Sequence, residues 1–197
     1  MRVIAGDAKG RVLATPHGLD IRPTTDRVRE AIFSMLDAEC LKRTTGGFCF
    51  PRVLDLYAGT GALGIEALSR GASHADFVET NPKARAIIAE NLRRTGLIDR
   101  GAIHGLKVQS ALSTFQGTYD LILLDPPYGD PTLPLVLEAL GRSPILISGT
   151  IVVLEHARSF DVPTQVGRLL RTRSRHHGTT AVSFFVPETP GLVGAGS

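Results

Sequence analysis

The 197-residue sequence predicts an α/β fold in which a mostly parallel sheet carries helices on both faces. Short apolar runs alternate with amphipathic segments from residue 52 to residue 155, as in consecutive strand–helix units. After residue 155 the alternation stops, and two strand-like runs flank His176-His177-Gly178-Thr179, as in an antiparallel hairpin. A hydrophobic content of 43% and a charged content of 21% are typical of a folded globular chain.

Seven strands are predicted for this sheet, five in the alternating region and two in the C-terminal hairpin. They span residues 52–56, 74–79, 103–108, 119–124, 150–155, 166–175 and 180–186. The helices between them span residues 61–70, 82–95, 111–115 and 133–140. Gly71 suits the C-terminal end of the first of these helices, and Asn81 suits the N-cap of the second.

A small extension precedes the alternating region. Residues 2–5 and 11–13 are expected to pair as a hairpin, and Thr25 or Asp26 can cap a helix that follows. The apolar stripe of that helix consists of Val28, Ala31, Ile32, Met35 and Leu36. Arg27 and Arg29 lie off this stripe, where they either face solvent or contact phosphate or a cofactor carboxylate. We expect an extension at 1–43, a main domain at 44–187 and a flexible tail at 188–197.

The composition excludes several classes of protein. No apolar run reaches the 18 residues of a membrane span, and the first residues lack the apolar segment of a signal peptide. Two cysteines, Cys40 and Cys49, make neither a disulfide framework nor a metal site. We therefore expect a cytoplasmic protein with no membrane partner and no metal. The pI of about 9.1 is compatible with a nucleic-acid partner.

The most unusual stretch is Asp125-Pro126-Pro127-Tyr128, which follows a short apolar strand. The two prolines fix the backbone and remove two N–H donors, so that only acceptors remain there. A carboxylate, backbone carbonyls and one aromatic ring suit a flat group that carries an NH2, such as a nucleobase. The alternative is an ordinary turn at the end of a strand.

A glycine-rich loop follows the first predicted strand, in the run from Asp55 and Leu56 through Tyr57, Ala58, Gly59 and Thr60 to Gly61. Gly59 and Gly61 allow a tight turn and close approach to a ligand at the carboxyl end of a parallel sheet. The chain has no Gly-Lys-Ser/Thr phosphate-binding loop, and Asp55 would repel a pyrophosphate. The same carboxylate suits a cationic amino-acid group.

Polar residues are expected at the ends of the next two strands. Glu79 can accept hydrogen bonds from both hydroxyls of a ribose, and Asn81 can meet an adenine or ribose edge. The third strand is expected to end at Ser110 and Ala111, where a side chain and a backbone amide could read an adenine. Together with the glycine loop, these residues favour a nucleoside with a positive centre, and S-adenosylmethionine fits that description.

The sequence resembles class I S-adenosylmethionine-dependent methyltransferases that act on exocyclic amino groups, through the glycine loop, Glu79-Thr80-Asn81 and Asp125–Tyr128. The run from Arg22-Pro23-Thr24 to Glu30 is similar to the RsmD family of bacterial 16S ribosomal RNA guanine-N2 methyltransferases. This resemblance covers nearly the whole chain, although the loop at 44–50 is longer than the family predicts. It implies a Rossmann-like class I methyltransferase fold, a catalytic Asp125–Tyr128 and a segment around Arg22, Thr24 and Arg27 that closes over cofactor and substrate. It also implies 16S ribosomal RNA in a small-subunit assembly particle as substrate, and a monomer is expected.

Basic residues supply candidate contacts to RNA. Arg171, Arg173 and Arg175 would share one face of a strand, and Lys9 and Arg11 would lie near the tip of the N-terminal hairpin. The alternative is a charged edge strand that guards against aggregation.

Two other functions remain open at this level. Asp-Pro-Pro-Tyr also occurs in DNA methyltransferases that act on adenine N6 or cytosine N4, although those enzymes usually carry a separate target-recognition domain. A non-catalytic RNA-binding assembly factor with the same fold is the third possibility.

Overall fold

An eight-stranded sheet forms the centre of the protein in the computed structural model, which describes residues 1–15 and 25–188. The strand order is β3-β2-β1-β4-β5-β8-β7-β6; the first five strands are parallel, and the last three add on antiparallel. The strands are β1 Arg52–Leu56, β2 His74–Val78, β3 Gly101–His104, β4 Tyr119–Leu124, β5 Leu146–Ala157, β6 Gln165–Val166, β7 Leu169–His177 and β8 Thr180–Pro187. The α-helices are α1 Asp26–Arg43, α2 Ala62–Arg70, α3 Pro82–Thr95, α4 Val108–Thr114 and α5 Leu133–Arg142.

The prediction of seven strands is wrong by one. The run predicted as a single strand at 166–175 begins with a separate two-residue strand, β6, which turns back at Gly167 to pair with Leu169 and Leu170. Gly167 adopts a φ of +56°, and a Cβ there would lie 2.8 Å from the carbonyl oxygen of Gly141. The tight turn and the close approach to α5 therefore both require glycine.

The third strand is earlier and shorter than predicted. It ends at His104, because its neighbour β2 ends at Val78, which lies opposite His104. Val108, predicted as the last residue of this strand, begins α4 instead and packs into the core with 5% of its surface exposed.

Two apolar layers cover the sheet. Strand residues such as Val53 and Leu121 point toward α1, α2 and α3, whereas their neighbours Leu54 and Ile122 point toward α4 and α5. This alternation is what buried parallel strands produce when helices pack on both faces. The predicted stripe of α1 is confirmed, and Ile32 and Leu36 of that stripe are almost fully buried.

The N-terminal hairpin packs on α2. An antiparallel bridge joins Arg2 to Val12, and the backbone N–H groups of Ile4 and Ala5 donate to the two carboxylate oxygens of Glu66 at 2.8 and 3.0 Å. A Cβ on Gly6 would lie 1.8 Å from the carbonyl oxygen of Ser69, so the hairpin backbone touches the helix directly.

Arg29 is fully buried, which corrects the expectation that it lies off the apolar side of α1 beside Arg27. Its guanidinium donates to Asp26 at 3.0 Å and to the carbonyl oxygen of Arg2, and its Nε lies 3.9 Å from Oε2 of Glu66. Burial lowers the pKa of Arg29, against the raising influence of Glu66 and Asp26. Arg29 therefore holds the extension to α2 and does not face a ligand.

Cys40 and Cys49 form a disulfide in the structure, which corrects the expectation that they make no disulfide framework. The loop after α1 returns along the helix and brings the two Cα atoms to 5.2 Å from each other.

No helix in the part of the chain that the structure describes is long and apolar enough to cross a bilayer.

Candidate active site

Four acidic residues lie at the carboxyl ends of neighbouring parallel strands. Two positions before each of them is a strand residue whose side chain packs on the α1–α3 side of the sheet. Because side chains alternate along a strand, the acidic residues belong to this same side. They are Asp55 on β1, Glu79 after β2, Asp125 after β4 and Glu155 on β5.

The loop between β1 and α2 turns through three residues in left-handed conformations. Their φ angles are +61° at Tyr57, +56° at Gly59 and +77° at Gly61. The backbone N–H of Gly64 donates to Oδ2 of Asp55 at 2.9 Å, and a Cβ on Gly64 would lie 2.4 Å from the ring of Phe77. The loop and the start of α2 therefore have a fixed shape.

Asp55 is buried and stabilises this loop through its hydrogen bond with the Gly64 N–H. Only 1% of its surface is exposed, and it lines neither of the cavities described next. Burial raises the pKa of its carboxyl well above the ordinary value, and the charges of Asp125 and Glu79 add to this effect against the Gly64 hydrogen bond. The prediction of direct contact with a cation therefore lacks support from the geometry. Ala58 and Gly61 likewise do not line these cavities.

Glu79 is held by two backbone donors. Its Oε2 accepts a hydrogen bond from the N–H of Gly59 at 2.9 Å, and its Oε1 accepts one from the N–H of Asn81 at 2.7 Å. A carboxylate has about four acceptor positions, so each oxygen keeps capacity for a ligand hydroxyl. The Asn81 side chain itself caps α3 through the N–H of Lys83 at 2.9 Å.

Two adjoining cavities of about 430 and 460 Å³ share the walls formed by Tyr57, Glu79 and Thr80. The first is otherwise lined by Val78, Leu106, Lys107, Val108, Gln109 and Thr132. The second is otherwise lined by Gly59, Asn81, Asp125, Pro126, Pro127, Tyr128 and Glu155. The first compartment thus offers apolar walls to a flat ring, and the second concentrates carboxylates.

Ser110 and Ala111 lie within α4 and not at the end of β3, which corrects the predicted position. Ser110 is exposed, and Ala111 is fully buried. The residues that line the first cavity from this region are the four that precede them, at 106–109. The apolar pair Leu106 and Val108 was the signal in the sequence, but it was assigned to the strand.

The Asp125–Tyr128 stretch forms one wall of the second cavity. The N–H of Asp125 lies 3.5 Å from the carbonyl oxygen of Leu56, next to the glycine loop. Tyr128 is 38% exposed, and its hydroxyl lies 2.5 Å from that of Thr180 on β8.

Tyr57 links the glycine loop to the turn that follows the Asp125–Tyr128 stretch, because its hydroxyl donates to Oδ2 of Asp130 at 3.1 Å. Burial and the Asp130 charge raise the pKa of Tyr57, so its phenol stays protonated.

Glu155 was not predicted as a site residue. It is 5% exposed and lines the second cavity together with Asp125. The signal in the sequence was an acidic residue directly after the apolar run from Ile151 to Leu154.

The three arginines of β7 do not share one face, which corrects the prediction. A bulge shifts the register so that Arg171 pairs with Phe185, whereas Arg173 pairs with Phe184 and therefore points to the other side of the sheet. Arg171 donates to the carbonyl oxygen of Val162, and Arg173 forms an ion pair of 2.6 Å with Glu39. Arg175 shares the Arg173 side and is exposed.

The remaining predicted RNA contacts are distributed over the extension. Lys9, Arg11 and Arg27 are exposed, and Arg11 donates to the carbonyl oxygen of Arg94 at 2.9 Å. Arg22 and Thr24 lie outside the described residues. Within the described ranges, no group of three or more His, Cys, Asp or Glu side chains is arranged to hold a metal ion.

The strand order, the glycine loop after β1, the acidic residue after β2 and the Asp-Pro-Pro-Tyr wall after β4 define a class I methyltransferase. The family described as "Conserved hypothetical protein 95" matches residues 1–186. The chain therefore belongs to this family, the RsmD family of ribosomal RNA methyltransferases.

Three relatives illustrate the similarity. YlbH of Bacillus subtilis, whose name provisionally assigns it as an rRNA methyltransferase, is 38% identical over 192 residues, which is 94% of this chain and 98% of YlbH. Ribosomal RNA small subunit methyltransferase D of Escherichia coli is 28% identical and covers 97% of this chain and 92% of its own length. The solved structure of yhhF from Escherichia coli, a protein that is provisionally described as a methyltransferase, has a TM-score of 0.81 at 26% identity. The match covers 95% of this chain and 98% of the yhhF chain.

Proposed function

We propose that this methyltransferase transfers a methyl group from S-adenosylmethionine to the exocyclic N2 of a guanine in 16S ribosomal RNA. The observation that carries the proposal is the second cavity, where Asp125, Pro126 and Tyr128 face Gly59 and Glu79. The name of the Escherichia coli relative, which specifies the small ribosomal subunit, supports the choice of RNA.

The donor set fits S-adenosylmethionine. Glu79 is held by the N–H groups of Gly59 and Asn81, with acceptor capacity left for two ribose hydroxyls. Val78, Leu106 and Val108 give the first cavity apolar walls for a purine, and Gln109 offers both donor and acceptor groups. The carboxylates around the second cavity favour cationic groups over phosphates.

When bound, the cofactor would supply an electrophilic methyl group, and the chain's residues would hold the amine that receives it. The lone pair of the guanine amine is delocalised into the ring, so the amine is a poor nucleophile. The Asp125 carboxylate and the Pro126 carbonyl would accept its two N–H bonds and make the nitrogen more tetrahedral. The proton that the amine loses on transfer would pass to Asp125 or to solvent.

Tyr128 would stack on the base, and Thr180 holds its hydroxyl. Stacking of this kind contributes roughly 1–3 kcal/mol per base. Most of the acceleration would come from positioning, since a well-oriented amine reacts as if within one molecule.

A guanine within structured RNA must leave its stack to reach this cavity. Lys9, Arg11, Arg27 and Arg175 are exposed and suited to phosphate contacts, whereas Arg171 and Arg173 already have partners in the protein. We also propose that Thr24 contributes to cofactor binding and Arg22 to RNA binding, that the enzyme acts as a cytoplasmic monomer and that a small-subunit assembly particle is its substrate.

The test compares three acceptors under identical conditions, namely naked 16S RNA, small-subunit particles and double-stranded DNA. All come from a strain that lacks its own enzyme of this family, and the methyl donor is isotopically labelled S-adenosylmethionine. Mass spectrometry of the digested nucleosides should find the label in N2-methylguanosine from particles. Label in N6-methyladenine or N4-methylcytosine from DNA, with none in RNA, would contradict the proposal.

A further inference from the structure

Two acidic residues from neighbouring strands line the second cavity side by side. Strands β4 and β5 are parallel, and Leu124 pairs with Leu154 in their register. Asp125 and Glu155 are the next residues along each strand, and both line the cavity. Because neighbouring strands lie about 4.8 Å apart, the two side chains start close enough for both carboxylates to reach one edge of a base in this cavity.

Glu155 is fixed and shielded from water. It pairs with Val182 of β8 in the antiparallel part of the sheet, and only 5% of its surface is exposed. A buried carboxylate is costly unless hydrogen-bond donors satisfy it. Since a carboxylate has about four acceptor positions, Glu155 can serve a protein neighbour and a ligand donor at the same time.

Guanine, adenine and cytosine each carry an exocyclic amine, and they differ in the ring nitrogen next to it. Guanine carries an N1–H next to its 2-amino group, so this edge offers two adjacent donors. Adenine has a bare N1 beside its 6-amino group, and cytosine has a bare N3 beside its 4-amino group, so each offers one donor and one acceptor. Two adjacent carboxylates therefore match guanine and repel the ring lone pair of the other two.

We propose that Glu155 is the specificity-determining residue of the site, which accepts the N1–H of guanine while Asp125 accepts an N–H of the 2-amino group. This inference rests on the proposed function and adds to it the group that selects the base. The Asp125–Tyr128 wall suits any exocyclic amine on a flat ring, whereas Glu155 rejects adenine and cytosine. A site that hydrogen-bonds a substrate donor discriminates strongly against an analogue that lacks it.

The base 2-aminopurine provides the test, because it keeps the 2-amino group but has a bare N1. The guanine that the wild-type enzyme methylates is first located by mass spectrometry of RNA fragments. Small-subunit particles are then rebuilt with 16S RNA that carries guanine or 2-aminopurine at this position, prepared by splinted ligation. The wild-type enzyme should prefer guanine by roughly 10²-fold in kcat/KM, as expected for a buried acceptor left facing another acceptor.

The variant Glu155→Gln should relax this discrimination. The glutamine amide can accept the N1–H of guanine through its oxygen or donate to the bare N1 of 2-aminopurine through its NH2 group, so methylation of 2-aminopurine should rise toward that of guanine. The matched control is Glu138→Gln, an exposed substitution on α5 that should leave both rates at the wild-type level. Thermal unfolding and affinity for S-adenosylhomocysteine should stay near wild type in both variants.

Two results would overturn the inference while the proposed function stands. One is wild-type enzyme that methylates 2-aminopurine as well as guanine, a result that needs no variant and is independent of folding. The other is a Glu155→Gln variant that folds, binds S-adenosylhomocysteine and keeps the wild-type preference. Absence of N2-methylguanosine from wild-type reactions on guanine particles would instead contradict the proposed function itself, and the inference with it.

Discussion

The backbone N–H of Gly59 donates to Oε2 of Glu79 across 2.9 Å and so joins the loop after β1 to the end of β2. The N–H of Asn81 holds the other carboxylate oxygen at 2.7 Å. This arrangement fixes the carboxylate in place before a ligand arrives, so little side-chain freedom is lost on binding.

Glu79→Ala should weaken binding of S-adenosylmethionine by roughly 10²-fold, because the ribose loses its acceptors and two backbone donors lose their partner. Isothermal titration calorimetry measures this directly. Glu90→Ala, a half-exposed position on the helix that Asn81 caps, is the control and should bind as the wild type does. Equal affinity of the Glu79 variant would show that the ribose is held elsewhere.

Gly64→Ala should destabilise the fold by about 1–3 kcal/mol, because its Cβ would lie 2.4 Å from the Phe77 ring. Gly46→Ala is the matched control, since a Cβ there meets no atom within 4 Å and should change the free energy of unfolding by less than about 0.5 kcal/mol. Urea unfolding of both variants provides the comparison. Equal stabilities would mean that α2 can move away from β2 at little cost.

Arg29→Ala should cost about 3–5 kcal/mol, because it leaves Glu66 buried without one of its cationic neighbours and the extension without an anchor. Arg27→Ala removes the same charge two residues earlier, from an exposed position, and should be nearly neutral. Chemical denaturation distinguishes the pair. A small effect at Arg29 would contradict its assignment as the link between α1, α2 and the hairpin.

Asp55 should make the folded protein less stable as it ionises. Burial raises its pKa in the folded state, so the folded protein binds this proton more tightly than the unfolded chain. The free energy of unfolding should therefore fall as pH rises from the unfolded pKa of about 3.9, and become constant above the folded pKa. Asp55→Asn keeps an oxygen for the Gly64 N–H and removes the titration, so its stability relative to wild type should increase with pH. A stability difference independent of pH would contradict this account.

The order of the elements was predictable because each parallel strand is a short apolar run and each helix has its own end signals, such as Asn81 and Gly71. The end of β3 was not predictable from its own residues, because the length of the neighbouring strand β2 determines where β3 ends. The extra strand β6 depends on the contact of Gly167 with Gly141, residues far apart in the sequence.

The candidate site was predictable to the extent that its residues follow strands directly, as Glu79 and Asp125 do, or lie in the loop after one, as Gly59 does. Glu155 was missed because its meaning depends on the register of β4 against β5, which brings it beside Asp125. The burial of Arg29 could not be predicted from its own helix, because it follows from the Glu66 carboxylate on another helix.

The most direct test of the central claim measures N2-methylguanosine in small-subunit particles after incubation with wild-type enzyme or Asp125→Ala. The variant should lose roughly 10²- to 10³-fold in kcat, the scale seen when one preorganised polar group is removed from an active site. Its affinity for S-adenosylmethionine should stay within a few-fold of wild type. Unchanged turnover of the variant, or wild-type particles without N2-methylguanosine, would contradict the account.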